Sequence, residues 1–134
     1  MSTSDPGAEH EAEVPSLSDL FDDYATAYDD YEPQALADCF AYPCTIWQFG
    51  KGNVFADEEE LLENIEALFG VLEREEVVHT RYEILHQAIS GDTAHATLHW
   101  THEREGGEEA MSFACHYLLI RDDDQWLVAS IVNE

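Results

Sequence analysis

From Leu17 the apolar residues recur three and four positions apart: Leu17, Leu20, Phe21, Tyr24, Tyr28 and Tyr31. That spacing draws one stripe along a helix of about four turns. Ser16 can cap it, with Asp19 at the third position of a capping box. Pro33 stands where a proline opens a second, short helix, with Leu36, Ala37 and Phe40 as its buried face. Pro43 closes that helix, because proline cannot donate to it and pushes Tyr42 out of the α region. A strand follows over about 44–49. Gly50, Gly52 and Asn53 form a turn, and Val54 and Phe55 return as a short second strand. Asp57 caps a third helix, with Glu60 completing its box and a stripe of Leu61, Leu62, Ile65, Leu68, Phe69 and Leu72. From Val77 onward the apolar period drops to two. Strands are predicted over roughly 80–89, 93–104, 110–121 and 126–132, separated by turn residues at 90–92, 106–107 and 122–125.

The order helix, helix, strand, short strand, helix and four strands predicts an α+β domain, with three helices on one face of a curved antiparallel sheet. Gly106 and Gly107 mark a tight hairpin, because both central residues of a type I′ turn take positive φ. Paired positions then sum to 213, so that Leu98 faces Cys115, Trp100 faces Phe113 and His102 faces Met111. Alternation collects Ala94, Ala96, Leu98, Trp100, Met111, Phe113, Cys115 and Tyr117 on the face that must meet the helices. The other face carries His95, Thr97, His99, Thr101, Ser112, Ala114 and His116. Three histidines there raise a metal reading, but a zinc site needs further ligands and a second shell. The preferred reading is a half-polar sheet face used for contact between two copies of the chain, with no metal.

Charge changes the picture of what such a domain can meet. Thirty acids against five bases give a formal net charge of −25, and Lys51 is the one lysine among 134 residues. This surface repels nucleic acid and anionic membrane, so neither is expected as a partner. The acids are spread along the chain rather than gathered in one block. That distribution points to a protein adapted to molar salt, where the Debye length is about 3 Å and like charges stop repelling. Residues 1–15 offer almost nothing to bury and are expected to form a disordered acidic tail ahead of a domain over 16–134. Three cysteines, an odd count without a CxxC pair or a signal sequence, suggest reduced thiols in a cytoplasm. No apolar run reaches the roughly 18 residues of a membrane span.

The stretch Tyr24-x-x-Ala27 through Phe40-Ala41 and Thr45-Ile46, with His116-Tyr117-Leu118 and Trp126-Leu127-Val128, resembles the nuclear transport factor 2-like superfamily. That group includes SnoaL-like proteins and ketosteroid isomerase. The likeness covers residues 17 to 133. It implies a cone of curved sheet closed by helices, a pocket inside the cone, and frequent dimers through the sheet. The isomerase members of the group use a tyrosine of the first helix and two pocket acids. Aligned without gaps, Tyr24 falls on the tyrosine position, Gln48 on that of the base carboxylate and Cys115 on that of the second acid. Glutamine has no basic group near neutral pH and cannot abstract a proton. Isomerase chemistry of that type is therefore not expected.

Other chemistry leaves little trace. G-x-S-x-G, P-loop and HExxH motifs are absent, and no cofactor is implied. Cys115 could act as a nucleophile with His102 as base, but a free cysteine more commonly serves as a small buried hydrophobe. Six residues are expected to converge on one cavity: Tyr24 and Tyr28 from the first helix, Gln48 from the first strand, and Trp100, His102 and Cys115 from the central hairpin. The cavity would be apolar in the middle and polar at Tyr24, Gln48 and His102, suiting a neutral, flat, mostly apolar ligand. His102 is the one candidate for proton transfer near neutral pH, and the direction of Trp47 and Phe49 is left open. The alternative is a non-enzymatic homodimeric interaction domain whose pocket is filled by its own side chains.

Overall fold

A six-stranded curved sheet carries three helices on its concave side, in a computed structural model that describes residues 16–134. The expected acidic tail lies outside the described residues. In chain order the elements are α1 (Leu17–Asp29), α2 (Pro33–Ala37), β1 (Phe40–Gln48), β2 (Lys51–Phe55), α3 (Glu58–Arg74), β3 (His79–Ser90), β4 (Thr93–Glu103), β5 (Glu109–Asp122) and β6 (Gln125–Asn133). Spatial order is β2-β1-β6-β5-β4-β3. Every neighbouring pair is antiparallel except β1 and β6, which run parallel. The expected α+β arrangement of helices on a curved sheet is therefore present, with one parallel pair inside an otherwise antiparallel sheet. Among the described residues, no helix is long and apolar enough to cross a membrane.

The caps of α1 form as expected: Ser16 Oγ accepts from the Asp19 amide, and the Asp19 side chain accepts from the Ser16 amide. Asp57 likewise accepts from the Glu60 amide at 3.0 Å, but Glu60 reaches one residue further back, to the Ala56 amide. Both long helices end through residues in the left-handed region, Tyr31 (φ 51°) and Glu76 (φ 62°). Tyr31, expected on the helical stripe, thus lies just past it. Its hydroxyl donates to the Val77 carbonyl at 2.6 Å, tying the end of α1 to the end of α3.

Three local expectations are corrected. First, Phe40 belongs to β1 rather than to the short helix, and β1 passes through Pro43. The strand tolerates a proline because its ladder to β6 is interrupted between Phe40 and Thr45, so no amide is required there. Second, Gly52 and Asn53 lie in β2, and the turn is Phe49-Gly50, with φ of 56° and 74°. Gly52 is needed for space: a Cβ there would come within 2.7 Å of the Trp47 ring, which lies across it. Third, Gly106 and Gly107 both take positive φ, but in a three-residue loop, with Arg104 and Glu108 closing it. An irregularity between His102 and Glu103 absorbs the extra residue. The register beyond it is the expected one, with Leu98 opposite Cys115, Trp100 opposite Phe113 and His102 opposite Met111.

The concave face of the sheet buries Ala94, Ala96, Leu98, Trp100, Cys115, Tyr117, Leu119, Trp126 and Val128 against Leu17, Phe21 and Tyr24 of α1, Leu36 of α2, and Leu61, Ile65, Phe69 and Leu72 of α3. The convex face is less polar than the alternation of β4 suggests. Trp47, Val54, Leu118, Ile120 and Val132 all stand on it at 37–66% exposure. Thr101, expected there among open polar residues, is only 2% exposed, between Arg81 and Ser112 on the neighbouring strands.

A candidate pocket at the open end of the cone

At one end of the concave face the helices and sheet diverge around a cavity of about 540 Å³. This lies within the range of small-molecule sites. All six residues singled out from the sequence line it: Tyr24, Tyr28, Gln48, Trp100, His102 and Cys115. The chain brings them together for simple reasons. Tyr24 and Tyr28 are one turn apart on α1. Trp100 and His102 are two apart on β4, and Cys115 faces Leu98 across the β4–β5 ladder. Their positions in the cavity differ. Tyr24, Trp100, His102 and Cys115 are buried, Tyr28 is half-buried, and Gln48 is exposed at the rim.

The deep wall is aromatic. Tyr24 lies 5.3 Å from Trp100, 5.6 Å from Tyr28 and 5.9 Å from Tyr117, centroid to centroid. Tyr28 and Phe113 flank the His102 ring at 5.4 and 5.6 Å. The Trp100 indole N–H donates to the Tyr117 hydroxyl at 2.8 Å, as a buried indole must. The Cys115 thiol donates to Asn133 Oδ1 at 2.7 Å.

Burial keeps this wall uncharged. It raises the hydroxyls of Tyr24, Tyr28 and Tyr117 well above the ordinary tyrosine range, and the nearby Cys115 adds to the rise in all three. It pushes the Cys115 thiol up to about 12, where no thiolate is available at neutral pH and nucleophilic attack is not served. The His102 imidazole is driven the other way, down to about 4, by burial only partly opposed by Asp29. His102 is therefore a neutral hydrogen-bonding group at physiological pH and a weak general base. Its Nδ1 meets Thr80 Oγ1 at 2.8 Å.

Sequence reasoning missed several lining residues. Tyr117 was placed on the right face but not in the pocket, although it accepts from Trp100. Asn133 reaches the wall because β5 and β6 slip register between Leu118 and Leu119. Asn64 and Val71 of α3 form part of the rim, where their positions look like ordinary helix surface, while Leu68, expected on the buried stripe, borders the cavity instead. Of the two residues left undirected, Phe49 turns to the cavity mouth at 92% exposure and Trp47 lies on the convex face. Among the described residues Glu134 is the single charged one of the lining, and its carboxylate pairs with His116 Nε2. The convex histidines do not converge: His95 lies beside His86, at 5.5 Å between ring centroids, and His116 Nδ1 meets Thr97 Oγ1 at 3.0 Å. Among the described residues, no group of three or more potential ligands is placed to hold a metal ion.

A curved sheet covered by helices over a largely aromatic cavity defines a class of small α+β pocket proteins. Comparison with known families narrows that class. Residues 12–134 match the family described as NTF2-like protein (DUF6841), and the chain belongs to it. Among curated proteins, none matches the chain. Solved structures agree at the level of the fold. An NTF-2 like protein of unknown function from Shewanella oneidensis superposes with a TM-score of 0.72 at 14% identity, over 87% of this chain and 94% of its own. A putative calcium/calmodulin-dependent protein kinase type II association domain from Thiobacillus denitrificans gives 0.73 at 10% identity, over 90% and 94%. A domain of unknown function with a cystatin-like fold from Nostoc punctiforme gives 0.71 at 13% identity, over 87% and 73%.

Proposed function

We propose that this protein binds a small, flat, mostly apolar and uncharged ligand in the cavity of the cone. One observation carries the reading: about 540 Å³ of space is left beside Tyr24, Tyr28, Trp100 and His102, in an otherwise well-filled core. A domain serving only to associate would gain stability by filling it. Apart from Glu134, whose carboxylate pairs with His116, the polar groups of the lining are hydroxyls, an imidazole, a thiol and side-chain amides, neutral at physiological pH, so a charged ligand would lose its hydration with little counter-charge to meet it. No reaction is assigned. His102 is too weakly basic, and Gln48 and Cys115 stand where the isomerases of the superfamily carry acids.

Fluorescence titration with Nile red, a neutral flat dye, tests the reading. Saturable 1:1 binding that Leu68→Trp weakens at the rim is expected, with a smaller loss for Gln48→Ala. Wild-type protein that leaves the dye unbound at tens of micromolar would refute it.

A second reading concerns the convex face. Trp47, Val54, Leu118, Ile120 and Val132 expose apolar surface on a sheet face that, among the described residues, no helix covers. Such a patch favours a homodimer through this face. Light scattering in molar salt should give twice the chain mass, and Leu118→Glu should halve it. A wild-type monomer at micromolar concentration would end this reading. The charge of −25 likewise favours a salt-adapted host compartment. Melting midpoints should rise from low salt to molar KCl, and equal midpoints would remove the basis for that view.

A further inference from the structure

Behind the cavity wall, Thr80 on β3 faces the lining residue His102 on β4, and the two side chains touch through Thr80 Oγ1 and His102 Nδ1 at 2.8 Å. Both residues are almost wholly buried, at 2% and 3% exposure. Thr80 is itself held in place: its backbone amide donates to Asp29 Oδ1 at 2.6 Å, at the end of α1. Among the described residues the Thr80 hydroxyl has this one partner, and His102 Nε2 has none. Two arrangements can make the contact. If Nδ1–H donates to the hydroxyl, the hydroxyl proton is orphaned inside the protein. If the hydroxyl donates to Nδ1, the donor left over is the Nε2–H of His102, which lines the cavity whereas Thr80 does not, so water or a ligand there can accept from it.

We infer that Thr80 is a positioning residue that locks His102 in the Nε2–H form, so that the pocket presents a buried neutral donor and takes a ligand bearing an acceptor oxygen, such as a ketone, at that point. The assignment deepens the pocket reading and rests on it for its ligand half. The lowered basicity of His102 agrees with it, since the ring stays neutral and keeps one proton to place. Tyr28 and Phe113 flank the ring and restrict its rotation, so the proton on Nε2 stays at one place in the wall. An acceptor there gains a hydrogen bond, whereas a donor such as an N–H leaves two donors facing each other.

The tautomer is read directly by long-range proton–nitrogen correlation on protein labelled with ¹⁵N-histidine, with His102→Gln identifying the signal. An unprotonated Nδ1 and a protonated Nε2 at neutral pH are expected. The reverse pattern overturns the proposal. Thr80→Val should give a mixture of the two forms, and Thr80→Ser should restore the single form; a Thr80→Val variant that keeps the wild-type pattern shows that Thr80 does not set it. For the ligand half, 2-acetonaphthone is compared with 2-ethylnaphthalene, which has the same shape without the oxygen. Wild-type protein should prefer the ketone by roughly tenfold, and Thr80→Val should lose most of that preference. Equal binding of the two compounds overturns the acceptor assignment alone. Failure of both to bind overturns the pocket reading and the acceptor assignment with it, while the nitrogen spectrum still decides the tautomer.

Discussion

The two ends of the concave face are built from the same strands and hold opposite contents. At the narrow end Leu98, Leu119, Val128, Trp126 and Leu17 share the filled core with exposures of 0–1%. At the wide end, Trp100, His102, Met111 and Phe113 meet Tyr24, Tyr28 and α3 around open space. The contrast is one of side-chain chemistry. The narrow end is mostly aliphatic and packs by shape. The wide end is aromatic and polar, and its rings are held by directed contacts such as Trp100 to Tyr117 and Thr80 to His102, which keep walls apart without filling the gap. A sheet of one curvature can thus carry a stability centre and a vacancy within a few residues of each other.

Five substitutions probe that division, from the largest expected effect to the smallest. Trp126→Ala removes an indole from the filled end and should cost about 3–5 kcal/mol, against less than about 2 kcal/mol for Phe113→Ala, whose ring already borders space. Chemical denaturation of both variants checks this, and equal losses would dissolve the contrast. His102→Leu addresses the acid limb. Its folded pKa of about 4 lies below the ordinary 6.5. As pH falls from 6.5 toward 4, the unfolded chain therefore takes up a proton that the buried ring refuses, and the fold loses stability across that window. Above pH 6.5 the ring is neutral in both states and adds no slope. The wild-type loss from this group reaches about 3 kcal/mol at most, and the leucine variant should lack it when the two stability curves are subtracted. Trp100→Phe withdraws the donor from the Tyr117 hydroxyl and should cost about 1–3 kcal/mol in the same denaturation assay. Phe49→Asn relieves a bulky residue at φ 56°. It should raise stability by about 1 kcal/mol while weakening Nile red at the mouth, the signature of a rim residue kept for contact at some conformational cost.

The narrow end and the inner wall were legible in the sequence because they depend on period and turn chemistry. The alternation of β4 and the glycine pair at 106–107 placed Trp100, His102 and Cys115 correctly even though the loop is one residue longer than expected. An irregularity beside the loop left the register unchanged. What could not be read depends on slips in the ladder or on shape. The shift between Leu118 and Leu119 brings Asn133 to the wall, and nothing in the spacing of β6 signals it. Leu68 and Val71 border space rather than protein, a difference absent from a helical stripe. Leu118 and Ile120 were open to the same alternation that put Tyr117 inside, and they carry the apolar side of the convex face. Thr80 merely opens the strand predicted over 80–89, and its meaning emerges only from its partner.

One feature of the topology bears on how the protein comes to exist at all. β6 lies between β1 and β5, so the β1–β2 hairpin has no hydrogen-bonded link to the rest of the sheet until β6 arrives. A nascent chain halted before residue 125 holds a three-stranded meander and a separate hairpin, with the buried faces of Phe40 and Cys44 uncovered. Strand β6 acts as a keystone: pairing with β1 on one side and β5 on the other converts two fragments into one cooperative unit. Such distant pairings slow folding, and the pocket, whose wall includes Ile131 and Asn133, forms only in that last step.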